Sequence, residues 1–436
     1  MLSAFRAALT TPDLRKKILF TLGIVAVYRL GANVPSPGVS SPNIRQCLEL
    51  IENSGSANIY SLLNLFSGGA LLQLSLFALG IMPYITASII VNLLGVVIPR
   101  FEQLRKEGQS GQAKLTQYTR YLAMAFAVLQ ATTFVALARS GQLFGNCPHQ
   151  VIPDGSVFNL VVIVIVMTAG TALVMWFGEM VTERGVGNGM SLLIFCSIAA
   201  RIPAEGSSIL QTQGGVVFTV VCIFALAIIV AVCFVEQAQR RIPVQYAKRM
   251  VGRRMYGGTS TYLPLKVNQA GVIPVIFGSS LLYLPQLMSQ LVGDGTGWLN
   301  RFIDDYIVPQ SSWVHILLFF ALIIFFTYFY VSITFNPDER ADEMKKFGGF
   351  VPGIRPGRPT AEYLSFVLSR ITLPGSIYLG IVAVLPNFFL SITEEGANQN
   401  FPFGGTAVLI MVSVGLDTMK QVESQLMQRN YEGFLR

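Results

Sequence analysis

Charge is what this chain has least of. Asp, Glu, Lys and Arg make up 12% of its 436 residues, about half the roughly 25% of an ordinary soluble protein, while 52% of the residues are hydrophobic. That balance argues against a soluble enzyme and against a disordered or fibrous chain, and for a polytopic membrane protein. Histidine is nearly missing: His149 and His315 are the only two, neither in HExxH spacing, so zinc hydrolysis and a His-based triad have little to work with. No nucleotide motif is present either. GQSGQAK (108–114) has Ala113 where a phosphate loop needs its second glycine, and GVGNGM (185–190) misses GxGxxG. Any driving energy must then come from a partner or a gradient. An ion-coupled transporter would carry ionisable groups near mid-membrane, but Glu179, Glu183 and Asp417 fall near the ends of apolar runs, where hydration or helix capping accounts for them. The five cysteines form no motif. Cys196, Cys222 and Cys233 sit in apolar runs and suit inert packing. Cys47 and Cys147 fall in loops, where a disulfide is chemically open to them, although their spacing says nothing of proximity.

What the chain has is long apolar runs. Uncharged stretches at 157–177, 215–235 and 313–335 match the ~20 residues of a crossing helix. Weaker or interrupted runs at about 18–36, 70–99, 121–138, 185–202, 268–292, 371–392 and 402–419 bring the expectation to ten spans. They should be helices, because lipid offers backbone N–H and C=O groups no partner. Alternate loops carry Lys and Arg very unequally, 25 on one side against 4 on the other, the latter being Arg45, Arg139, Arg201 and Arg301. The positive-inside rule then puts both termini in the cytoplasm. The formal net charge of +8 is mostly this bias rather than a nucleic-acid footprint. No small-residue cleavage site follows ILFTLGIVAVY, so the first helix is read as retained, with Arg29 snorkelling to an interface.

Three features ask for more than a bundle of spans. Ile59, Leu62, Leu63 and Phe66 follow i, i+3, i+4, i+7 spacing between Gly55 and Gly68-Gly69, which predicts a short amphipathic helix too short to cross lipid. It must lie at the interface or re-enter the protein. Gly80 and Pro83, Gly185-Gly187-Gly189, Gly271 and Pro274, Pro374-Gly375 and Gly404-Gly405 interrupt five helices. Some of this is ordinary close packing, but together it favours a gated pore or transporter. Two cytoplasmic loops are large. Loop 236–267 interleaves arginines with Tyr246, Tyr256 and Tyr262 and predicts a protruding hairpin, and loop 336–362 ends in GGFVPGIRPGRP, which presents Arg355 on a stiff tip. Positive-inside charge over anionic lipid explains both loops. A docking platform for a large cytosolic partner is the sharper alternative.

The stretches FSGGALLQLSLFALGIMPYITASII (66–90), KEGQSGQAKLTQYTRY (106–121), GEMVTERGVGNGMSLLIF (178–195), YLPLKVNQAGVIPVIF (262–277) and FVPGIRPGRPTAEYL (350–364) resemble, in order and over nearly the whole chain, the SecY family of channel subunits of the bacterial Sec protein translocase. The resemblance implies an all-α fold of ten transmembrane helices in two pseudo-symmetric five-helix halves, about 1–205 and 206–436, around a central hourglass pore. It implies a re-entrant plug helix near 58–68, carrying Ile59, Tyr60, Leu62, Leu63, Leu65 and Phe66. Positions matching the pore constriction are Ile81, Ile85, Met190, Ile194, Ile276 and Ile410, with Met190 standing where isoleucine is common in the family. Thr86, Gln130 and Asn268 match the polar cluster of a lateral gate. Arg241, Arg253, Arg254 and Arg355 match positions used toward the motor SecA or the ribosome, and Tyr431 a C-tail position linked to motor function. The implied activity is passage of unfolded preproteins across the bacterial cytoplasmic membrane, and release of hydrophobic segments sideways into lipid.

The implied partners are SecE, SecG, SecA, the ribosome, signal sequences and nascent chains, and membrane lipids, with a dimer left open. No residue is given a catalytic, cofactor-binding or metal-ligating role. Taken without the family, each pore position reads as core packing, and Gln130 and Asn268 as interhelical glue. The rival classes are an ion-coupled solute transporter and a purely structural membrane scaffold.

Overall fold

The computed structural model describes residues 11–44, 46–47, 67–141, 147, 150–246, 249–251, 254–256, 260–279, 281–282, 302–307, 312–392 and 405–432. Its elements in chain order are α1 (Pro12–Ala32), α2 (Met82–Val97), α3 (Pro99–Lys106), α4 (Gln109–Arg139), α5 (Val157–Arg184), α6 (Gly189–Ala199), α7 (Ile202–Gln237), β1 (Gln239–Tyr246), β2 (Arg249–Val251), β3 (Arg254–Tyr256), β4 (Ser260–Lys266), α8 (Trp313–Thr334), α9 (Pro337–Lys346), β5 (Gly349–Phe350), α10 (Arg358–Ile392) and α11 (Gly405–Glu432). Among the described residues, five stretches are long and apolar enough to cross a membrane: α4, α5, Gly214–Gln237 of α7, Trp313–Lys346 across α8 and α9, and Arg358–Leu385 of α10. A sixth is counted if α2 and α3, bent by 97°, form one broken span. The described residues are mostly helical, as the expected all-α fold class requires.

Local chemistry sets where helices begin. The Ser156 side chain accepts from Asn159 N and opens α5 at the first residue of its apolar run. Asn188 caps α6 and Asn336 caps α9 in the same way. Pro12 in the first turn of α1 starts that helix six residues before the apolar run. α7 is interrupted at Gly214, whose φ of +83° is non-helical.

Two expected spans take a different form. The run 70–99 is helical only from Met82, and residues 67–81 are turns. Gly68, Gly69 and Gly80 have positive φ there, and Pro83 lies in the first turn of α2. This irregular backbone is buried, Ala70 and Leu74 being fully so, and it pairs with the strand-like segment 34–36: Ser36 N donates to Leu74 O and Leu76 N to Val34 O. Non-helical backbone in so apolar a run survives where protein, not lipid, satisfies it. The run 185–202 yields α6, which has 11 residues and is about 16 Å long at 1.5 Å per residue. Its first residue, Gly189, lies against the Gly178 carbonyl of α5 so closely that a Cβ would overlap it, the small-on-small contact that lets membrane helices approach.

The chain divides into two compact units, residues 1–221 with 394–403 and 414–436, and residues 222–393 with 404–413. In the first, α2 packs on α4, α4 on α5 and α5 on α6, while Leu14 of α1 and Val422 of α11 bury together with Val186. The second unit carries the predicted hairpin. β1 and β4 pair antiparallel from Gln239↔Lys266 to Gln245↔Ser260. β5 adds to the other edge of β1 through Gln245↔Phe350 and Tyr246↔Gly349, giving the order β4-β1-β5. Alternation buries Ile242 and Val244 on one face. Ile242 and Leu265 then join Val331, Phe335, Val351 and Leu364 in one cluster, so the sheet is rooted on α8 and α10.

Candidate functional site

α6 carries Met190 and Ile194, two of the expected constriction residues, and it is held on three sides within the first unit. Toward α5, Thr182 Oγ1 donates to Gly178 O at 2.8 Å and accepts from Gly189 N at 2.9 Å. The Met190 thioether fills the space that a Cβ on Gly178 would need. Toward α1, Ser197 Oγ donates to Leu193 O at 2.9 Å, which spends its single proton. The 2.8 Å contact between Tyr28 and Ser197 therefore has Tyr28 as donor. Tyr28 is 1% exposed and stacks on Phe77, which meets Phe177 edge-on. Toward the turn region, Gly68 lies against Ser197, and its carbonyl accepts from Arg29 Nη1 at 3.2 Å. Arg29 thus engages protein backbone at the end of α1, beyond the interfacial role the sequence assigned it.

Ile81 is the N-cap residue of α2 and Ile85 lies in its first turn. Ile276 lies in the helical segment 273–279 and Ile410 in α11. Ile81, Ile194, Ile276 and Ile410 are buried, and Ile85 and Met190 are half-buried. Ile81, Ile85, Met190 and Ile194 belong to the first unit, Ile276 and Ile410 to the second. The expected plug residues, Ile59, Tyr60, Leu62, Leu63, Leu65 and Phe66, lie outside the described residues.

Of the expected gate cluster, Thr86 sits on α2 and Gln130 on α4, two helices that pack together. Thr86 Oγ1 donates to Met82 O of its own helix at 3.0 Å. Asn268 lies in the bend after β4, where its amide donates to Glu236 Oε1 at 2.6 Å and to Gly271 O at 3.2 Å. Glu236, 7% exposed at the end of α7, is a buried carboxylate that sequence reading passed over, because one acid at a helix end looks hydrated. Glu179, which the sequence assigned to hydration or helix capping, is paired as well. Instead of facing water, it receives a two-pronged bond from Arg120, Nε to Oε1 and Nη2 to Oε2, each 2.8 Å, clamping α4 to α5. The legible signal was that both residues lie in the quoted stretches TRY and GEM.

Of the candidate docking residues, Arg241, Arg254 and Arg355 lie in the second unit and Tyr431 in the first. Arg241 on β1 places its guanidinium 4.8 Å from the Tyr262 ring centre on β4, a cation–π pair. Arg254 lies on β3, Arg253 outside the described residues, and Tyr431 in the last turn of α11. Arg355 is exposed between Gly353 and Gly357, whose φ values of +84° and +103° require glycine. Thr360 Oγ1 ties the tip by donating to Arg355 O at 2.9 Å. The β1–β5 pairing joins the two charged loops through Gln245↔Phe350 and Tyr246↔Gly349, which spacing could not reveal. Cys47 and Cys147 are joined in a disulfide. Beside it, Asn43 Nδ2 donates to Gln150 O at 2.7 Å and Ser40 N to Val151 O at 3.0 Å.

Comparison with known proteins gives concordant findings. The SecY family model matches residues 75–419. The chain is 71% identical to the protein translocase subunit SecY of Mycobacterium tuberculosis (strain H37Rv) and 60% identical to that of Streptomyces coelicolor, over the full length of each. Among solved structures, a protein-conducting channel superposes with a TM-score of 0.63 at 19% identity, covering 94% of this chain and 91% of that one. A structure reporting on the plug domain of SecY matches with a TM-score of 0.62 at the same coverage.

Proposed function

Because the chain belongs to the SecY family and is a multi-pass channel subunit of a protein translocase, we propose that it conducts unfolded preproteins across the bacterial cytoplasmic membrane and releases apolar segments laterally into lipid. The observation that carries this reading is the chemistry of the constriction positions. Ile81, Ile85, Met190, Ile194, Ile276 and Ile410 are all alkyl or thioether side chains. A narrow ring of such groups gives water no hydrogen-bond partner, so it dewets and blocks ions. It also makes no bond that depends on the sequence of a sliding polypeptide. Met190, unbranched and adaptable, seals less rigidly than isoleucine would.

The halves 1–205 and 206–436 part around this ring, and residues 58–68 plug its outer funnel at rest. The lateral gate runs past Thr86, Gln130 and Asn268. Interhelical hydrogen bonds in membranes are worth about 0.6 kcal/mol each, weak enough for a signal helix to replace. Both termini are cytoplasmic, which puts the β4-β1-β5 sheet and the Arg355 tip on the side of SecA or the ribosome. The sequence carries no nucleotide motif, which supports a passive channel: motor or elongating chain supplies the work, and SecE and SecG complete the complex.

Inverted membrane vesicles depleted of this chain should fail to import a preprotein when SecA and ATP are supplied, and should recover import when it is restored. Import without it contradicts the reading. Arg355→Glu should abolish motor-driven import while leaving the channel's own membrane insertion intact, and normal import in that variant removes the tip from the docking surface. Deleting residues 58–68 should make the membrane leak ions, whereas a structural scaffold would show no change in conductance.

A further inference from the structure

Between the end of α4 and the beginning of α5 lies an open groove of about 560 Å³, within the range of small-molecule sites. Its walls are apolar, formed by Val135 and Ala136 of α4 and by Leu160, Val161 and Val164 of α5, and Arg139 stands at the mouth. The two hydroxyls in the lining are already committed, Thr132 to Leu129 O and Ser140 to Leu137 O. Arg139 is not: among the described residues it makes no hydrogen bond or ion pair. The Asp154 carbonyl accepts from Asn159 Nδ2 at 3.1 Å, but its carboxylate makes no ion pair among the described residues, although a Cβ on the adjoining Gly155 would lie within 4 Å of the guanidinium. The C-terminal end of α4 favours a cation there, but among the described residues that leaves the guanidinium's five donors unspent.

We infer that this groove is a binding site for an anionic glycerophospholipid, with one acyl chain between α4 and α5 and the headgroup phosphate on Arg139. Size selects a lipid over a protein helix. From Thr132 to Ser140 the groove follows eight residues of α4, about 12 Å at 1.5 Å per residue, well short of the ~30 Å a membrane-crossing helix would lay against it. Charge selects the headgroup, because a planar guanidinium pairs with a phosphate in a fork of two hydrogen bonds. Sequence bias makes the arginine notable as well, since Arg139 is one of only four Lys or Arg residues in the cation-poor loops.

Native mass spectrometry of the full chain, purified with the subunits that accompany it, tests this with dioleoyl phosphatidylglycerol and dioleoyl phosphatidylcholine titrated separately. The wild type should hold one phosphatidylglycerol at least about tenfold more tightly than any phosphatidylcholine, a factor that charge-assisted bonds readily supply. Arg139→Gln should abolish that preference, Arg139→Lys should keep part of it, and Ala136→Phe, which fills the groove, should weaken both lipids. Undiminished preference in Arg139→Gln overturns the proposal, and so does equal binding of the two lipids by the wild type. A groove covered by an accompanying subunit would show no tight adduct at all, and that result overturns it too.

Discussion

The bond between Tyr28 and Ser197 has a direction, and the direction makes the two obvious variants unequal. Ser197 Oγ donates to Leu193 O at 2.9 Å and receives the Tyr28 hydroxyl at 2.8 Å. Tyr28→Phe deletes the donor and leaves Ser197 satisfied, so its cost should be near the ~0.6 kcal/mol of an ordinary interhelical bond in a membrane protein. Ser197→Ala instead strands a phenol that is 1% exposed, which costs about 1–3 kcal/mol. The double variant strands nothing, and should be more stable than Ser197→Ala alone. Reversible unfolding in mixed micelles, followed by tryptophan fluorescence, measures all three. A gap of about 1.4 kcal/mol would appear as tenfold in the unfolding constant. If Ser197→Ala costs no more than Tyr28→Phe, or the double variant is the sum of the singles, the donor assignment is wrong and α6 is held by other contacts.

Other consequences follow from specific contacts. Gly170→Ala should cost about 1–3 kcal/mol, because its Cβ would overlap the Leu76 carbonyl in a segment pinned by Leu76 N to Val34 O. Gly23→Ala, with nothing within 4 Å, should instead stabilise by roughly 0.5–1 kcal/mol, and unfolding midpoints check both. Maleimide labelling of the denatured, unreduced chain should find the three free thiols of Cys196, Cys222 and Cys233, and two more after reduction. Reduction should also lower stability by several kcal/mol, since the Cys47–Cys147 bridge closes a separation of 100 residues. A double-mutant cycle on Arg120 and Glu179 should give a coupling near 1 kcal/mol, at the upper end for a partly exposed pair because the contact is two-pronged, and it should shrink with added salt.

How far the fold could be read in advance depended on what sets each element. The run 157–177 became Val157–Arg184 and the run 313–335 became Trp313–Thr334, because continuous apolarity and a cap such as Ser156 are local signals. Residues 67–81 were equally apolar yet not helical. Their conformation follows from pairing with residues 34–36, a contact between distant segments that hydropathy does not register. The hairpin β1–β4 showed in its β-favouring residues, whereas the addition of β5 did not, since two residues carry no periodicity. Among the site residues, the proposed ring positions rest on the family resemblance alone, because a buried isoleucine looks the same in a core and in a pore. Glu236 and Arg120–Glu179 stayed hidden because an acid near a helix end gives no sign of its partner.

The central claim is that a translocating polypeptide passes the apolar ring. With Cys196, Cys222 and Cys233 replaced by alanine, single cysteines introduced at Ile85 and Ile276 should each crosslink to a cysteine-bearing preprotein stalled midway, and only when SecA and ATP have driven it there. Adducts at neither position, with the stalled chain demonstrably in the membrane, would contradict the account.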